Sequence, residues 1–189
     1  MAELTERLNK IYDCITAENF LRCESLCNEI GYYIFDYMPE NELEVRDHII
    51  ALKKQLAGQA QLKVADINLF ELLIDHLKSR DLFEKSFQME TDKGLGHLWK
   101  AIKAPLKTEN LVKIFQEKVN PNDYDMVFIT GVGNAWPLAR AHSLLNNLQS
   151  VMSEIPLVLF YPGCYDGQHF RLFGKLRSNP YYRAFRLVP

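Results

Sequence analysis

The sequence contains no apolar run that approaches the roughly 20 residues needed for a membrane-spanning helix. It carries no secretory leader and no lipidation motif at either end. Its four cysteines (Cys14, Cys23, Cys27 and Cys164) lack the spacing of a zinc site, and no pair of histidines completes one. We therefore expect a cytoplasmic protein whose cysteines are reduced thiols that serve as small core residues.

The chain also has little net charge and lacks the common catalytic motifs. The formal net charge is −2 and the sequence pI is about 6.2, which excludes a strong overall basic field for nucleic acid but leaves room for a local basic patch. No histidine stands in an H-E-x-x-H pattern, and there is no G-x-S-x-G elbow or kinase motif set. The sequence therefore predicts neither a catalytic residue nor a resident metal or cofactor.

What the sequence does contain is a series of short apolar runs separated by helical patterns. Four such runs predict buried strands, at residues 31–35, 62–65, 126–129 and 156–160. Continuous Val/Leu/Phe runs on either side of a helix are typical of a parallel sheet covered on both faces. We predict an α/β fold: a single three-layer domain over residues 1–189, with a mostly parallel central sheet flanked by helices and the helical segment 67–118 inserted between strands.

The helices have recognisable boundaries. An opening helix is predicted by four apolar residues at helical spacing, Leu4, Leu8, Ile11 and Ile15. Pro39 predicts the start of a second helix and Gly58 its end. Asn68 and Glu71 have the spacing of a capping box. Residues 79–118 are predicted to be helical in two or three pieces, and their mixed charge indicates a solvated outer face.

The central motif is the stretch 125–140, where a strand, a glycine turn and a helical pattern follow one another. Open α/β sheets bind anionic ligands with this geometry, because amide N–H groups and the helix dipole point into the crevice beyond the strand ends. However, Trp136 stands where the dinucleotide pattern G-x-G-x-x-G/A requires a small residue, and no P-loop Lys-Ser/Thr pair follows. The turn at residues 130–133 is therefore either structural or an anion-binding loop. Pro137 is predicted to lead into a helix whose apolar face includes Leu138 and Ala141.

The predicted ligand crevice lies where the carboxyl ends of three parallel strands meet, with a loop at residues 161–167 on its rim. The candidate residues at this edge are Asp36, Tyr37, Thr130, Gly131, Gly133, Tyr161, Gly163 and Asp166. Asp36 and Asp166 offer hard oxygen ligands of the type that bind Mg²⁺. Aspartates that follow strands also brace turns and cap helices. The sequence leaves both readings open.

The C-terminal segment interleaves arginines with aromatic residues. Such mixtures occur at the energetic anchors of protein interfaces, and also on nucleic-acid surfaces, where rings stack and guanidinium groups meet phosphate. A third reading places the aromatic rings in the core and the arginines in solvent. The candidate partner-interface residues are Arg171, Phe173, Tyr181, Tyr182 and Arg183. The last part of residues 181–187 is also predicted to be a strand.

Longer sequence signatures run through the whole chain. They are IFDYMP at residues 34–39, FITGVG at 128–133 followed by PLAR at 137–140 and His142, LVLFYPG at 157–163 followed by YDG at 165–167, and LFG at 172–174 followed by YYRAFRL at 181–187. In these segments the chain resembles the BrxB family, the small B component of bacterial BREX phage-defence systems.

The resemblance implies a cytoplasmic, non-enzymatic accessory subunit that is needed with its partners for host DNA methylation and for blocking phage replication. The implied partners are first PglZ, which is alkaline-phosphatase-like, then the PglX adenine methyltransferase and the BrxC ATPase. DNA would be contacted only indirectly through the complex. The family carries over no catalytic residue. A homodimer stays open, and so does a rival function: a nucleotide-binding or nucleotide-hydrolysing α/β enzyme that uses the strand-end loops 130–133 and 161–167.

Overall fold

The computed structural model describes residues 2–23, 31–152, 155–177, 180 and 183–189. In the first half, helices α1 (Ala2–Thr16) and α2 (Glu18–Leu21) precede strand β1 (Tyr32–Tyr37). A single 3₁₀ turn (Pro39–Asn41) leads into α3 (Glu42–Gln55), which continues as a π turn (Leu56–Ala60). Strand β2 (Val64–Asn68) and helix α4 (Leu69–Ser79) follow.

The second half begins with three helices, α5 (Phe83–Lys93), α6 (Leu95–Lys103) and α7 (Thr108–Lys118). A 3₁₀ turn (Pro121–Asp123) leads to β3 (Met126–Thr130), which is followed by the single turn α8 (Val132–Ala135) and by α9 (Ala141–Leu148). Four strands complete the described chain: β4 (Leu157–Tyr165), β5 (Phe170–Leu172), β6 (Leu176–Arg177) and β7 (Phe185–Arg186).

The central sheet has the strand order β2-β3-β4-β1-β7, and every neighbouring pair on this path is parallel. Strand β4 extends past this sheet and pairs in antiparallel fashion with β5, which pairs in turn with β6. The prediction of a mostly parallel α/β sheet flanked by helices is therefore confirmed. The helical segment between β2 and β3 also lies where the sequence predicted it.

The two faces of the sheet form separate cores because successive side chains of a strand point to opposite faces. Val127, Ile129, Leu157 and Leu159 face a core built with helices α4, α7 and α9. The residues between them face the other core, which is built with α1 and α3; they are Met126, Phe128, Val158 and Phe160. Strands buried on both faces need the continuous apolar runs that the sequence contains.

Local signals placed several helix boundaries correctly. The Asn68 side-chain oxygen accepts hydrogen bonds from the backbone N–H groups of Phe70 at 3.1 Å and Glu71 at 3.3 Å, and its amide donates to Glu71 Oε1 at 3.1 Å. The predicted N-cap at Asn68 is therefore present and satisfies N–H groups that the first turn of α4 leaves unpaired, but Glu71 bonds to the Asn68 side-chain amide, whereas in a capping box it would bond to the backbone N–H. The apolar face predicted for α1 is buried, since Leu4, Leu8, Ile11 and Ile15 are at most 7% exposed.

Other boundaries were predicted wrongly. Helix α3 does not end at Gly58, because the chain continues into the π turn that contains this glycine. The strand predicted at residues 62–65 lies instead at Val64–Asn68, paired with β3. Helix α9 begins only at Ala141, so Leu138 precedes it. None of the helices in the described part of the chain combines the length and hydropathy that crossing a bilayer demands.

Candidate functional site

The carboxyl ends of β1, β3 and β4 meet at one edge of the sheet because these strands are parallel and β4 lies between the other two. Asp36 pairs with Tyr161 and Tyr37 with Pro162 across β1 and β4. Thr130 ends β3, and Gly131 follows it in a left-handed conformation. The structure thus gathers the predicted crevice residues along this edge.

The predicted loop 161–167 is wrong for its first five residues, which continue strand β4 beyond the sheet edge. Gly163 pairs with Leu172 and Tyr165 with Phe170 in the antiparallel extension. The backbone N–H of Phe173 also donates to the carbonyl of Pro162 at 2.9 Å. The β4–β5–β6 hairpin therefore occupies space beyond the strand ends, where an open α/β sheet would hold a ligand.

Asp36 is a buried carboxylate held by two arginines from opposite ends of the chain. Arg7 Nη2 donates to its Oδ1 at 2.8 Å, and Arg186 Nη2 donates to its Oδ2 at 3.0 Å. The backbone N–H of Tyr165 also donates to Oδ2 at 3.0 Å. Arg7 also donates a hydrogen bond to the backbone oxygen of Asp36, and Arg186 donates one to the backbone oxygen of Tyr165. This arrangement compensates the cost of burying the charge and joins α1, β1, β4 and β7.

Three tyrosines at this edge are buried in the protein. The Tyr37 hydroxyl donates to Glu42 Oε2 at 2.6 Å, and burial together with this carboxylate raises the pKa of Tyr37 above its ordinary value. Burial also raises the pKa of Tyr161. The Tyr165 hydroxyl donates to the carbonyl of Ala184 at 2.9 Å, and burial raises its pKa to about 12. All three are neutral at physiological pH.

The glycines of the predicted crevice lie against protein atoms. A Cβ on Gly131 would collide with the Asn68 side-chain oxygen, and one on Gly163 would collide with the backbone oxygen of Arg171. A Cβ on Gly133 would lie 3.1 Å from the Phe173 ring. These glycines permit close approach between parts of the chain. This geometry favours the structural reading of the turn at residues 130–133.

Asp166 braces the turn that follows β4. Its Oδ1 accepts from the backbone N–H groups of Gln168 at 3.0 Å and His169 at 2.7 Å, and these bonds hold the pKa of its carboxyl below the usual value. This is an Asx-type turn, one of the two readings that the sequence left open. Among the described residues, no three His, Cys, Asp or Glu side chains come together as potential metal ligands.

A cavity of about 280 Å³ lies beside the glycine turn, and the sequence did not predict it. Its lining combines the segment after β3 with the β5–β6 hairpin: Val132, Trp136, Ala139, Arg140, Ala141, His142, Tyr161, Phe170, Leu172, Lys175 and Leu176. Of the predicted crevice residues, only Tyr161 reaches this lining. The sequence signals for this cavity were three residues near the predicted crevice, Trp136, Arg140 and Lys175, that are polar or aromatic and able to bind a ligand. Their proximity to one another depends on the fold and could not be predicted from the sequence.

The electrostatics of this cavity are cationic. Arg140 and Lys175 are exposed at its rim, and the part of the lining formed by described residues contains no Asp or Glu. His142 is half-buried, and desolvation, reinforced by the charge of Arg140, lowers its pKa. His142 therefore stays neutral at pH 7, with its Nε2 3.2 Å from the Ser143 hydroxyl.

Comparison with known proteins identifies the family. The family model described as "BREX protein BrxB" matches residues 65–187. A Bacillus cereus (strain H3081.97) protein named BREX protein BrxB is 38% identical over 192 residues, which cover 100% of this chain and 99% of the relative. The chain belongs to the BrxB family. A second BREX protein BrxB, from Escherichia coli O9:H4 (strain HS), is 41% identical over 186 residues, covering 98% of this chain and 92% of the relative. No solved structure matches the chain.

The resemblance predicted from the sequence signatures is therefore confirmed, and BrxB membership implies a role in BREX phage defence. The matched region includes strands β3 and β4, the cationic cavity and helices α4 to α9, whereas β1 with Asp36 precedes it. The similarity to the BrxB family therefore covers most of the fold.

One feature of the matched region is the helix pair α5–α6, which contains no buried residue. Three large apolar side chains on it are exposed: Phe87 (54%), Leu95 (66%) and Trp99 (39%). The sequence prediction of a solvated outer face missed this, although Leu95, Leu98, Trp99 and Ile102 recur at helical spacing. We call Phe87, Leu95 and Trp99 the apolar face of α5–α6.

A broad groove of about 650 Å³ runs beside this face. Its walls combine apolar residues, including Trp99, Pro137 and Leu138, with three basic residues and one acidic residue: Lys103, Lys107, Arg140 and Glu109. Helix α6 and the loop behind it contain no acidic residue between Gly94 and Thr108. The groove is thus apolar and largely basic in a chain whose net charge is negative.

The predicted C-terminal interface residues have different environments. The Arg171 side chain is 51% exposed and lies 3.8 Å from Asp166, whereas Phe173 packs against the larger core and Gly133. Arg183 is exposed and donates a hydrogen bond to Gln149. Tyr181 and Tyr182 lie outside the described residues. The assignment of these five residues to a partner interface stays a prediction.

Proposed function

We propose that this protein is a non-enzymatic assembly subunit of a BREX phage-defence complex. It acts in the cytoplasm by binding other BREX proteins, with PglZ as the first partner and the PglX methyltransferase and BrxC ATPase as further ones. Through these contacts it supports host DNA methylation and phage restriction, and it meets DNA only through the complex. Membership of the BrxB family supports the BREX context of this proposal.

The observation that carries the proposal is the apolar face of α5–α6. Phe87, Leu95 and Trp99 are exposed on helices that contain no fully buried residue and pack on the larger core through the partly buried Phe83 and Ile102. Exposed contiguous apolar surface, with aromatic side chains in particular, is characteristic of protein-binding sites. The adjacent groove adds basic side chains to this surface, so we expect the partner segment to be apolar with acidic neighbours.

The strand edge supports the non-enzymatic part of the proposal. The Asp36 carboxylate is engaged by Arg7, Arg186 and a backbone amide, and the glycines of the turn abut protein atoms. These groups act in holding the domain together. This packing of residues 130–133 and 161–167 supports the assembly function over a nucleotide-hydrolysing enzyme that uses those segments.

The test is complementation of a BREX strain from which this gene is deleted. The variant Phe87→Ser/Trp99→Ser removes two aromatic groups from the apolar face, and Leu43→Ser/Ile50→Ser removes two exposed apolar groups from α3 as a matched control. Phage plating efficiency and adenine methylation of host DNA are measured together. We expect the first variant to lose both activities and the control to retain both. Full restoration by the first variant would contradict the proposed surface.

A further inference from the structure

The cavity beside the glycine turn is separate from the apolar face of α5–α6, although Arg140 lines both this cavity and the adjacent groove. It opens between the segment 132–142 and the β5–β6 hairpin, and its volume is about 280 Å³. That volume lies just below the range of roughly 300–1,000 Å³ that is typical of small-ligand pockets. The cavity therefore fits a ligand with one ring system and its substituents.

One side of the cavity is aromatic and apolar. Trp136 is 42% exposed, so its indole is accessible from the cavity that it lines. The buried Tyr161, Phe170 and Leu172 supply apolar surface below it. A planar ring bound here gains stacking contacts that do not depend on its substituents.

The other side is cationic. Arg140 and Lys175 line the cavity, and neither forms an ion pair with any residue of the described ranges. The described residues of the lining include no Asp or Glu that would neutralise these two charges. A guanidinium binds phosphate through paired N–H groups, and an ammonium adds a point charge.

A nucleotide unit joins a planar base to an anionic phosphate and so matches both sides of this cavity. We propose that the cavity binds a single nucleotide unit, with its base against Trp136 and its phosphate on Arg140 and Lys175. Gly131 and Gly133 do not line the cavity, so recognition is by side chains rather than by the amides of the glycine turn. Arg140 also lines the groove beside the apolar face of α5–α6, but the test of the cavity needs only the isolated chain and no BREX partner.

The experiment uses Trp136 as the reporter. The sequence has two tryptophans, so Trp99→Phe leaves Trp136 as the single tryptophan, whose emission is followed with selective excitation of indole. The full-length Trp99→Phe protein is titrated with the 5′-monophosphates of adenosine, guanosine, cytidine and uridine, and calorimetry on the unmutated chain measures the same affinities. Inorganic phosphate and ribose 5-phosphate are the probes without a base. A 5′-phosphorylated single-stranded oligonucleotide tests whether the unit comes from a strand end.

We expect Trp136 fluorescence to be quenched by at least one mononucleotide at millimolar concentration or below. Arg140→Ala and Lys175→Ala should each weaken binding about tenfold or more, and Trp136→Ala should weaken it about tenfold in calorimetry. Lys54→Ala, at an exposed lysine on α3, should leave affinity unchanged. Tighter binding of the oligonucleotide with the same losses would support the site and identify a strand end as its source.

Two results would overturn the proposal. One is the absence of binding by every mononucleotide and by the oligonucleotide at millimolar concentration. The other is equal affinity for ribose 5-phosphate and the mononucleotides, with no effect of Trp136→Ala, since a base would then contribute nothing. Because all of these variants change exposed side chains, their fold is checked by circular dichroism without expectation of loss.

Discussion

The turn between β3 and α8 offers the sharpest test of how the strand edge is built. Gly131 has φ +68°, and a Cβ there would meet the side chain of Asn68, the residue that caps α4. An L-residue in a left-handed conformation costs about 1–2 kcal/mol. Loss of an N-cap adds about 1 kcal/mol. We therefore expect Gly131→Ala to lower the free energy of unfolding by about 2–3 kcal/mol.

A matched glycine separates the two contributions. Gly174 has φ +69°, but nothing lies within 4 Å of the Cβ position there. Gly174→Ala should therefore show the backbone cost alone, about 1–2 kcal/mol. The excess cost at Gly131 then measures the collision with the cap. In a chain of this length, 1 kcal/mol corresponds to a shift of about 2–4 °C in Tm.

A double-mutant cycle identifies Asn68 as the colliding group. Asn68→Ala alone should cost about 1 kcal/mol. Because Gly131→Ala already displaces the cap, the double variant should be about as stable as Gly131→Ala itself. The coupling between the sites should therefore be about 1 kcal/mol, well above the roughly 0.5 kcal/mol scatter of independent sites. Urea denaturation followed by far-UV circular dichroism supplies all four free energies. Strict additivity, or equal costs at Gly131 and Gly174, would refute the reasoning.

Three further predictions concern Asp36 and Gly163 at the same edge of the sheet, and the buried His76. Asp36→Asn should lower the free energy of unfolding, measured by urea titration, by about 3 kcal/mol, because it leaves Arg7 without its carboxylate partner. The control variant Asp47→Asn, on the exposed side of α3, should change the free energy of unfolding by less than about 0.5 kcal/mol. Gly163→Ala should cost at least about 2 kcal/mol, measured by thermal unfolding, because the opposing atom belongs to the β5 backbone and cannot rotate away. Burial lowers the pKa of His76, so the unfolded chain binds more protons than the folded chain below about pH 6.5. The free energy of unfolding should therefore decrease as the pH drops through that value. His76→Gln should make this dependence of stability on pH less steep.

Local sequence signals were sufficient for features decided by neighbouring residues. The cap at Asn68 involves Phe70 and Glu71, and the strand Met126–Thr130 is a short apolar run. The extension of β4 was missed because Tyr161-Pro-Gly163 has the composition of a turn. Pairing with distant strands overrides that preference, since this segment lies between β1 and β5.

The candidate site depends on contacts that no local pattern contains. Asp36 lies 29 positions from Arg7 and 150 from Arg186, so neither ion pair is visible in a sequence window. The cationic cavity likewise joins Arg140 to Lys175 across the whole of β4. Sequence analysis could name the strand edge and the family, but the fold was needed to show which side chains face each other there.

The most direct test of the assembly proposal is co-purification after co-expression of the affinity-tagged chain with the neighbouring BREX proteins. We predict that the unmutated chain recovers PglZ, and that Phe87→Ser/Trp99→Ser weakens this complex about 30-fold or more, as expected for aromatic anchors of an interface. Leu43→Ser/Ile50→Ser should recover it undiminished. Failure of the unmutated, folded chain to recover PglZ, PglX or BrxC would contradict the account.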